Sequence, residues 1–130
     1  MIYKVKLFQQ NVIFMSGNEN CTFSIIHVNT EKFCSIWDDI QKNDKSCLDW
    51  YVKKYMIAEK CFLNSHNHPV PLPIIGGFQV YGGNRRSIRL TDGITRIQWL
   101  VDHDAKSFPI YCPLALKNEL EVVVAADANI

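Results

Sequence analysis

The sequence predicts a single α+β domain, built on a small mixed or antiparallel sheet with three to four helices. Three observations carry that prediction. Strand-like alternation occupies the first 28 residues and returns at 78–81, 87–90 and 108–112. Between these runs lie stretches with apolar residues at helical spacing. A chain of 130 residues, 48% hydrophobic and 21% charged, is long enough for one core and too short for two ordinary domains.

The elements follow in order. Ile2, Val5 and Leu7 alternate with Tyr3, Lys4 and Lys6; Val12-Ile13-Phe14-Met15 stops at Ser16-Gly17-Asn18, and Thr22-Phe23-Ser24-Ile25-Ile26-His27-Val28 resumes as strand. Asn29 or Thr30 can cap a helix whose apolar face is Phe33, Ile36, Trp37 and Ile40, ended by Asn43 and Asp44. Ser46 with Asp49 three residues on reads as a capping-box variant, opening a helix with Leu48, Tyr51, Val52, Tyr55 and Met56 on one stripe. From His66 to Pro73 the prolines at 69, 71 and 73 dictate an extended connector, because each fixes its own φ and pushes its predecessor out of the helical region. Two strands, 78–81 and 87–90, are joined by the hairpin loop Gly82-Gly83-Asn84-Arg85-Arg86. Thr91 or Asp92 caps a helix with Ile94, Ile97, Leu100 and Val101 facing inward. Phe108 to Cys112 forms a short strand, and Pro113 stands at the first position of a helix through Leu114, Leu116 and Leu120. Val122-Val123-Val124 reads equally as helix end or edge strand.

Composition excludes several functions. The net charge of +1 gives no global drive toward nucleic acid or membrane, so such binding requires a local patch. Cys21, Cys34, Cys47, Cys61 and Cys112 are odd in number and contain no C-x-x-C pair, which argues against a disulfide framework or a zinc ribbon. His66 and His68 lack a neighbouring Cys, Asp or Glu to complete a metal shell and read as loop histidines. The alternating N-terminus has no signal-peptide core, and no segment is long and apolar enough to span a bilayer. Reduced thiols and a bacterial cytoplasmic location are the expectation.

The stretch that carries chemistry is Thr91-Asp92-Gly93-Ile94-Thr95-Arg96. All four arginines, Arg85, Arg86, Arg89 and Arg96, fall within residues 85–96, against one acid, Asp92, for a local charge of +3. A cation in the first turn of a helix opposes the macrodipole, so Arg96 calls for an anion. That anion is either Asp92, paired across one turn, or a ligand. In the second case Gly93 lets the backbone approach, the N–H groups near Gly93, Ile94 and Thr95 point out of the helix end, and the Thr95 hydroxyl adds a donor: a phosphate cradle.

Asp-Gly-x-Thr-Arg, a helix and then Phe108-Pro109-Ile110 resemble the signature region of the ParB/sulfiredoxin superfamily, where a Gly-x-x-Arg element opens a helix that leads into an Ile-Pro-Val strand. Arg96 stands thirteen positions before Pro109 (96 to 109), the separation such members share. Gly83-Asn84-Arg85-Arg86 imitates the Gly-x-Arg-Arg box of partition proteins but lies out of that register. Within the superfamily the chain resembles most the Osa/FiwA group of plasmid fertility inhibition factors. That likeness runs from about Trp50 to Pro113, through Lys60-Cys61-Phe62, His68-Pro69-Val70-Pro71-Leu72-Pro73, Leu90 to Arg96 with Trp99-Leu100, and Phe108 to Pro113.

The resemblance implies a bacterial, plasmid-linked protein that blocks conjugative or T-DNA transfer. Osa-like members are associated with ATP binding and hydrolysis and with DNA binding and cleavage. Carried over, Gly93, Thr95 and Arg96 would be the phosphate contacts, Asp92 with Arg96 the catalytic position, and Pro69, Pro71 and Pro73 the wall of the site. From the residues themselves, Lys60 by its charge and Ile94 by its N–H would join in holding ATP with Mg²⁺, and Arg85, Arg86 and Arg89 would make non-specific DNA contacts. Sulfiredoxin thiol chemistry is excluded, because Ile94 stands where its cysteine would be. No helix-turn-helix partner accompanies the domain, so sequence-specific DNA reading is not expected. The competing expectation is a non-enzymatic inhibitor that binds a coupling protein or transferred substrate of a type IV secretion system. Surface aromatics would be its anchors, although Trp37 falls on a core stripe.

Overall fold

The computed structural model describes residues 3–6, 11–14, 22–43, 48–82 and 85–126. Chain order is β1 (Tyr3–Lys6), β2 (Asn11–Phe14), β3 (Phe23–Asn29), α1 (Thr30–Ile36), α2 (Asp39–Asn43), α3 (Leu48–Leu63), β4 (Ile74–Tyr81), β5 (Arg85–Asp92), α4 (Ile94–Asp102), β6 (Ser107–Pro113), a 3-10 turn (Leu114–Leu116) and α5 (Lys117–Val124). The class is the expected α+β. β1 and β2 form an antiparallel pair, and the main sheet has the order β3-β6-β4-β5, antiparallel except where β4 meets β6.

β6 explains how a proline occupies an inner strand. The His27 carbonyl turns to the outer edge of β3, where Ala126 N–H donates to it at 3.0 Å, so the facing pair His27 and Pro109 exchanges no ladder bond. On the other side β4 pairs with β6 only at Tyr111, beyond the proline. The missing N–H of Pro109 therefore costs the sheet nothing. Ile26 opposite Ile110 and Val28 opposite Phe108 then put bulky apolar groups into the core, joined by Ile75, Ile88, Leu90, Ile97, Leu100, Leu120 and Val124. Val5 and Phe14 of the small hairpin belong to the same core, Phe14 meeting Phe62 edge-on at 5.5 Å.

Among the described residues five helices form where three to four were expected, because the first one breaks. Asn29 caps α1 by accepting from Lys32 N–H at 2.9 Å, but Trp37 leaves the helix with ψ of 133° and bridges to Ile88 of β5. Asp38 N–H then donates to the Ile88 carbonyl at 2.8 Å. Asp38 restarts the chain as α2 by accepting from Gln41 N–H at 3.1 Å. The buried Gln41 amide continues the edge, accepting from Leu90 N–H at 2.7 Å and donating to its carbonyl at 3.0 Å. The outer edge of β5 is thus covered at Ile88 and Leu90 by Asp38 and Gln41. Ile40, expected on a core face, is consequently exposed.

Other expectations are corrected in the same way. On the described part of α3, from Tyr51 on, the buried residues are Ala58 and Phe62, with Tyr51 and Tyr55 half-buried, whereas Val52 and Met56 are exposed: the stripe is rotated toward α4 and β2. His66 and Asn67 are not extended but lie in turns after α3, where Asn67 and His68 N–H both donate to the Asn64 carbonyl. Arg85 and Arg86 belong to β5 and not to the hairpin loop, and Thr91 and Asp92 end that strand instead of capping α4. Val101 of α4 is partly exposed, while Trp99 is fully buried in its place. Pro113 precedes a 3-10 turn, and residues 122–124 are helical, with Ala125 bridging to Val28. The Ser46 cap, Cys21, Cys47, Gly83 and Asn84 lie outside the described residues.

Asp38 makes stability depend on acid pH. The Gln41 N–H bond, aided by the Arg89 guanidinium 3.1 Å away, holds its carboxyl below the usual carboxylate range against an opposing desolvation. The unfolded chain therefore binds the proton more readily, so this contribution is complete above the unfolded value of about 4 and is lost as pH falls through the lower folded value. Asp38→Asn keeps the cap but not the charge. Its deficit in urea midpoint relative to the parent is expected to shrink as pH drops from 6 to 3; a constant deficit would show that the charge contributes nothing.

Candidate functional site

β5 delivers Asp92 to the sheet end, opposite Ile74, and Gly93 turns the chain into α4. Gly93 has φ of 96°, the left-handed region that other residues enter at a cost of about 1–2 kcal/mol. It is also pressed against the proline connector: a Cβ there would stand 2.6 Å from Pro73 Cβ and 2.9 Å from Pro73 Cα. The connector is itself anchored, since Tyr111 N–H donates to the Pro73 carbonyl at 3.0 Å. One turn of the sequence is therefore locked between the end of β5, the start of β4 and the middle of β6.

Arg96 sits in the first turn of α4, as expected, and its anion in this structure is Asp92. One guanidinium nitrogen donates to Asp92 Oδ2 at 2.6 Å and the other to the Pro71 carbonyl. The guanidinium is largely tucked in, with 17% of its side chain exposed, against 58% for Asp92. The local pairing that the sequence offered as one of two alternatives is thus formed. No side chain caps the helix: Ile97 N–H makes the first intrahelical bond, to Gly93, so the N–H groups of Ile94, Thr95 and Arg96 remain beyond the ladder. The guanidinium meets the connector at Pro71, Gly93 meets it at Pro73, and Thr95 between them is half-buried.

The remaining candidates are placed differently. Lys60 is exposed in the last turn of α3, and no described contact joins it to the Gly93 turn. Arg85 and Arg86 are exposed at the start of β5 and, being consecutive, address opposite faces of the strand. Arg89 is engaged by Asp38. Among the described residues no group of three His, Cys, Asp or Glu could hold a metal ion, and Cys34 and Cys61 are free thiols.

Sequence reasoning missed Asp38, Gln41 and Trp99. Asp38-x-x-Gln41 is itself a cap signature, hidden inside what looked like one continuous helix. Trp99 stacks between Phe62, at 4.4 Å, and His103, at 3.9 Å, while its indole N–H donates to Glu59 at 3.2 Å. It ties α3 to α4 and so holds the helix that carries the site. Beyond it α4 closes in a Schellman motif, with Ala105 N–H on the Leu100 carbonyl, Asp104 N–H on Val101, and Asp104 in the left-handed region at φ of 60°.

Fold and site together define a small α+β domain whose fourth helix opens at a left-handed glycine and bears an arginine in its first turn. The model of the plasmid fertility inhibition factor family matches residues 25–125, and the chain belongs to that family. The fold is similar to the crystal structure of the Oncogenic Suppression Activity Protein, a plasmid fertility inhibition factor, in its gold(I) cyanide derivative. The TM-score is 0.78 at 22% identity, covering 98% of this chain and 70% of that one. No curated protein sequence matches the chain. No described helix is long and apolar enough to cross a membrane.

Proposed function

We propose that the chain inhibits conjugative or T-DNA transfer through a phosphate-binding site at the start of α4, with ATP as ligand. The observation that carries this reading is that the helix whose Ile94, Thr95 and Arg96 N–H groups lie beyond the ladder also bears the Arg96 guanidinium in its first turn. Backbone donors at a helix start and an arginine are the donor set a phosphate takes. The residues fit a nucleotide phosphate in part: Thr95 adds a hydroxyl and Arg96 would exchange Asp92 for a phosphate oxygen, while Gly93, packed on Pro73, sets the turn. Lys60 is left without a described link to this helix start.

Bound ATP would supply the phosphoanhydride as the reactive group. Asp92, released from Arg96, would then be a mostly exposed carboxylate able to orient water. Mg²⁺ would enter on the phosphates, since the described residues offer it no cage of their own. Arg85 and Arg86 suit salt-sensitive, non-specific contact with a DNA backbone, and DNA cleavage would have to draw on the same Asp92 and Arg96.

A second reading is favoured by the closed Asp92–Arg96–Pro71 arrangement, in which the arginine already has its partners. In that case the chain is a non-enzymatic inhibitor that binds a coupling protein or transferred substrate of a type IV secretion system. Arg96→Ala separates the two. On the first reading ATP raises the thermal midpoint of the parent but not of the variant, and the variant stops blocking plasmid transfer. Absence of an ATP shift in the parent, with inhibition intact in the variant, leaves the second reading.

A further inference from the structure

α3 carries a second surface that the proposed phosphate site does not use. Its inner side meets α4, where Tyr55 donates to Asp102 at 2.7 Å and Glu59 accepts from Trp99. Beside that column Val52, Met56 and Leu63 are 43%, 55% and 57% exposed. At 100° per residue they fall within about 40° of one another and span about 16 Å, three turns. Lys53 and Lys60, seven residues apart, form a parallel column next to them, both exposed and without a carboxylate partner among the described residues.

We propose that this flank of α3 docks an acidic amphipathic helix of a partner protein, its aliphatic side chains on Val52, Met56 and Leu63 and its carboxylates against Lys53 and Lys60. Helical spacing of the anchors over three turns suits a helix laid alongside. The sign of the partner follows from the neighbouring column, which is cationic on the open side, while the carboxylates on the other side are already engaged by Tyr55 and Trp99. A bilayer is the poorer occupant. The apolar column is one residue wide, and the exposed Ile57 is cut off from it by the lysines, so among the described residues of α3 no broad apolar sector faces outward. This inference is independent of nucleotide binding.

The test uses the full chain and two synthetic helical peptides of about three heptads, with leucine at a and d and either glutamate or lysine at e and g. Titration calorimetry at low salt is expected to show the glutamate peptide binding roughly tenfold or more tightly than the lysine peptide. Met56→Asp is expected to abolish binding, and Lys53→Glu with Lys60→Glu to invert the preference. All three side chains are exposed, so folding should persist; should Met56→Asp unfold, the charge-swapped double variant carries the test. Equal binding of both peptides, or an unchanged preference in the double variant, overturns the proposal. So does co-sedimentation with phosphatidylcholine and phosphatidylglycerol vesicles when neither peptide binds.

Discussion

Trp99→Ala destabilises the protein by about 3–5 kcal/mol, a fall of roughly 10–20 °C in thermal midpoint for a chain of this size. The indole is fully buried between Phe62 and His103, with ring centroids 4.4 Å and 3.9 Å away, and its removal opens a cavity that no single neighbour can fill. It also withdraws the donor from Glu59, which α3 presents to the interior of the helix pair. His103 loses its stacking surface, although its ring Nδ1 still donates to the Trp99 backbone carbonyl at 2.8 Å. Trp99→Phe keeps an aromatic face and loses the N–H, so it should cost about 1–3 kcal/mol, much less than alanine. Chemical denaturation of the three proteins gives the ranking. A Trp99→Ala midpoint within a few degrees of the parent would mean that α3 and α4 are held chiefly by something else.

Gly93→Val comes next, with an expected loss of about 2–5 kcal/mol and of any phosphate binding at α4. Two independent terms add: the left-handed backbone, about 1–2 kcal/mol, and overpacking against Pro73, typically about 1–3 kcal/mol. The clash is with backbone as well as ring, because Pro73 Cα is 2.9 Å from the added Cβ position, and Pro73 is tied to Tyr111. Relief requires α4 to move away from the connector, which parts Arg96 from the Pro71 carbonyl. Gly77→Ala is the control, since nothing lies within 4 Å of its Cβ position. It should be nearly neutral; comparable losses at both positions would show that Gly93 is not special.

The site was legible in the sequence to the level of its parts. Gly93 as a turn and Arg96 in the first helical turn follow from local chemistry, and Asp92 four residues before Arg96 advertises their pairing. The partner supplied by Pro71 was not legible in that detail. Twenty-five residues separate it from Arg96, and only the folding of the connector onto the end of β5 brings its carbonyl there. A still longer separation in sequence hid the engagement of Arg89 by Asp38, which takes one arginine out of the basic cluster. Helix phase failed for a related reason. On α3 apolar spacing allowed more than one stripe, and the position of α4 chose Ala58 and Phe62 over Val52 and Met56.

By itself the sequence determined the class and the elements, because alternation, 3.6-residue periodicity, prolines and caps act over a few residues and need no distant partner. It also determined that Arg96 requires an anion, since the helix dipole is a local property. Tertiary structure alone decided which anion that is in this state, that the first helix breaks where Trp37 and Asp38 finish the edge of β5, and that Trp99 is central to the core. The last two depend on groups tens of residues apart meeting in a dry interior, and the first on the connector folding back to hold Arg96 at the Pro71 carbonyl. Which partners meet there is set by how the layers pack, and local propensity carries no record of it.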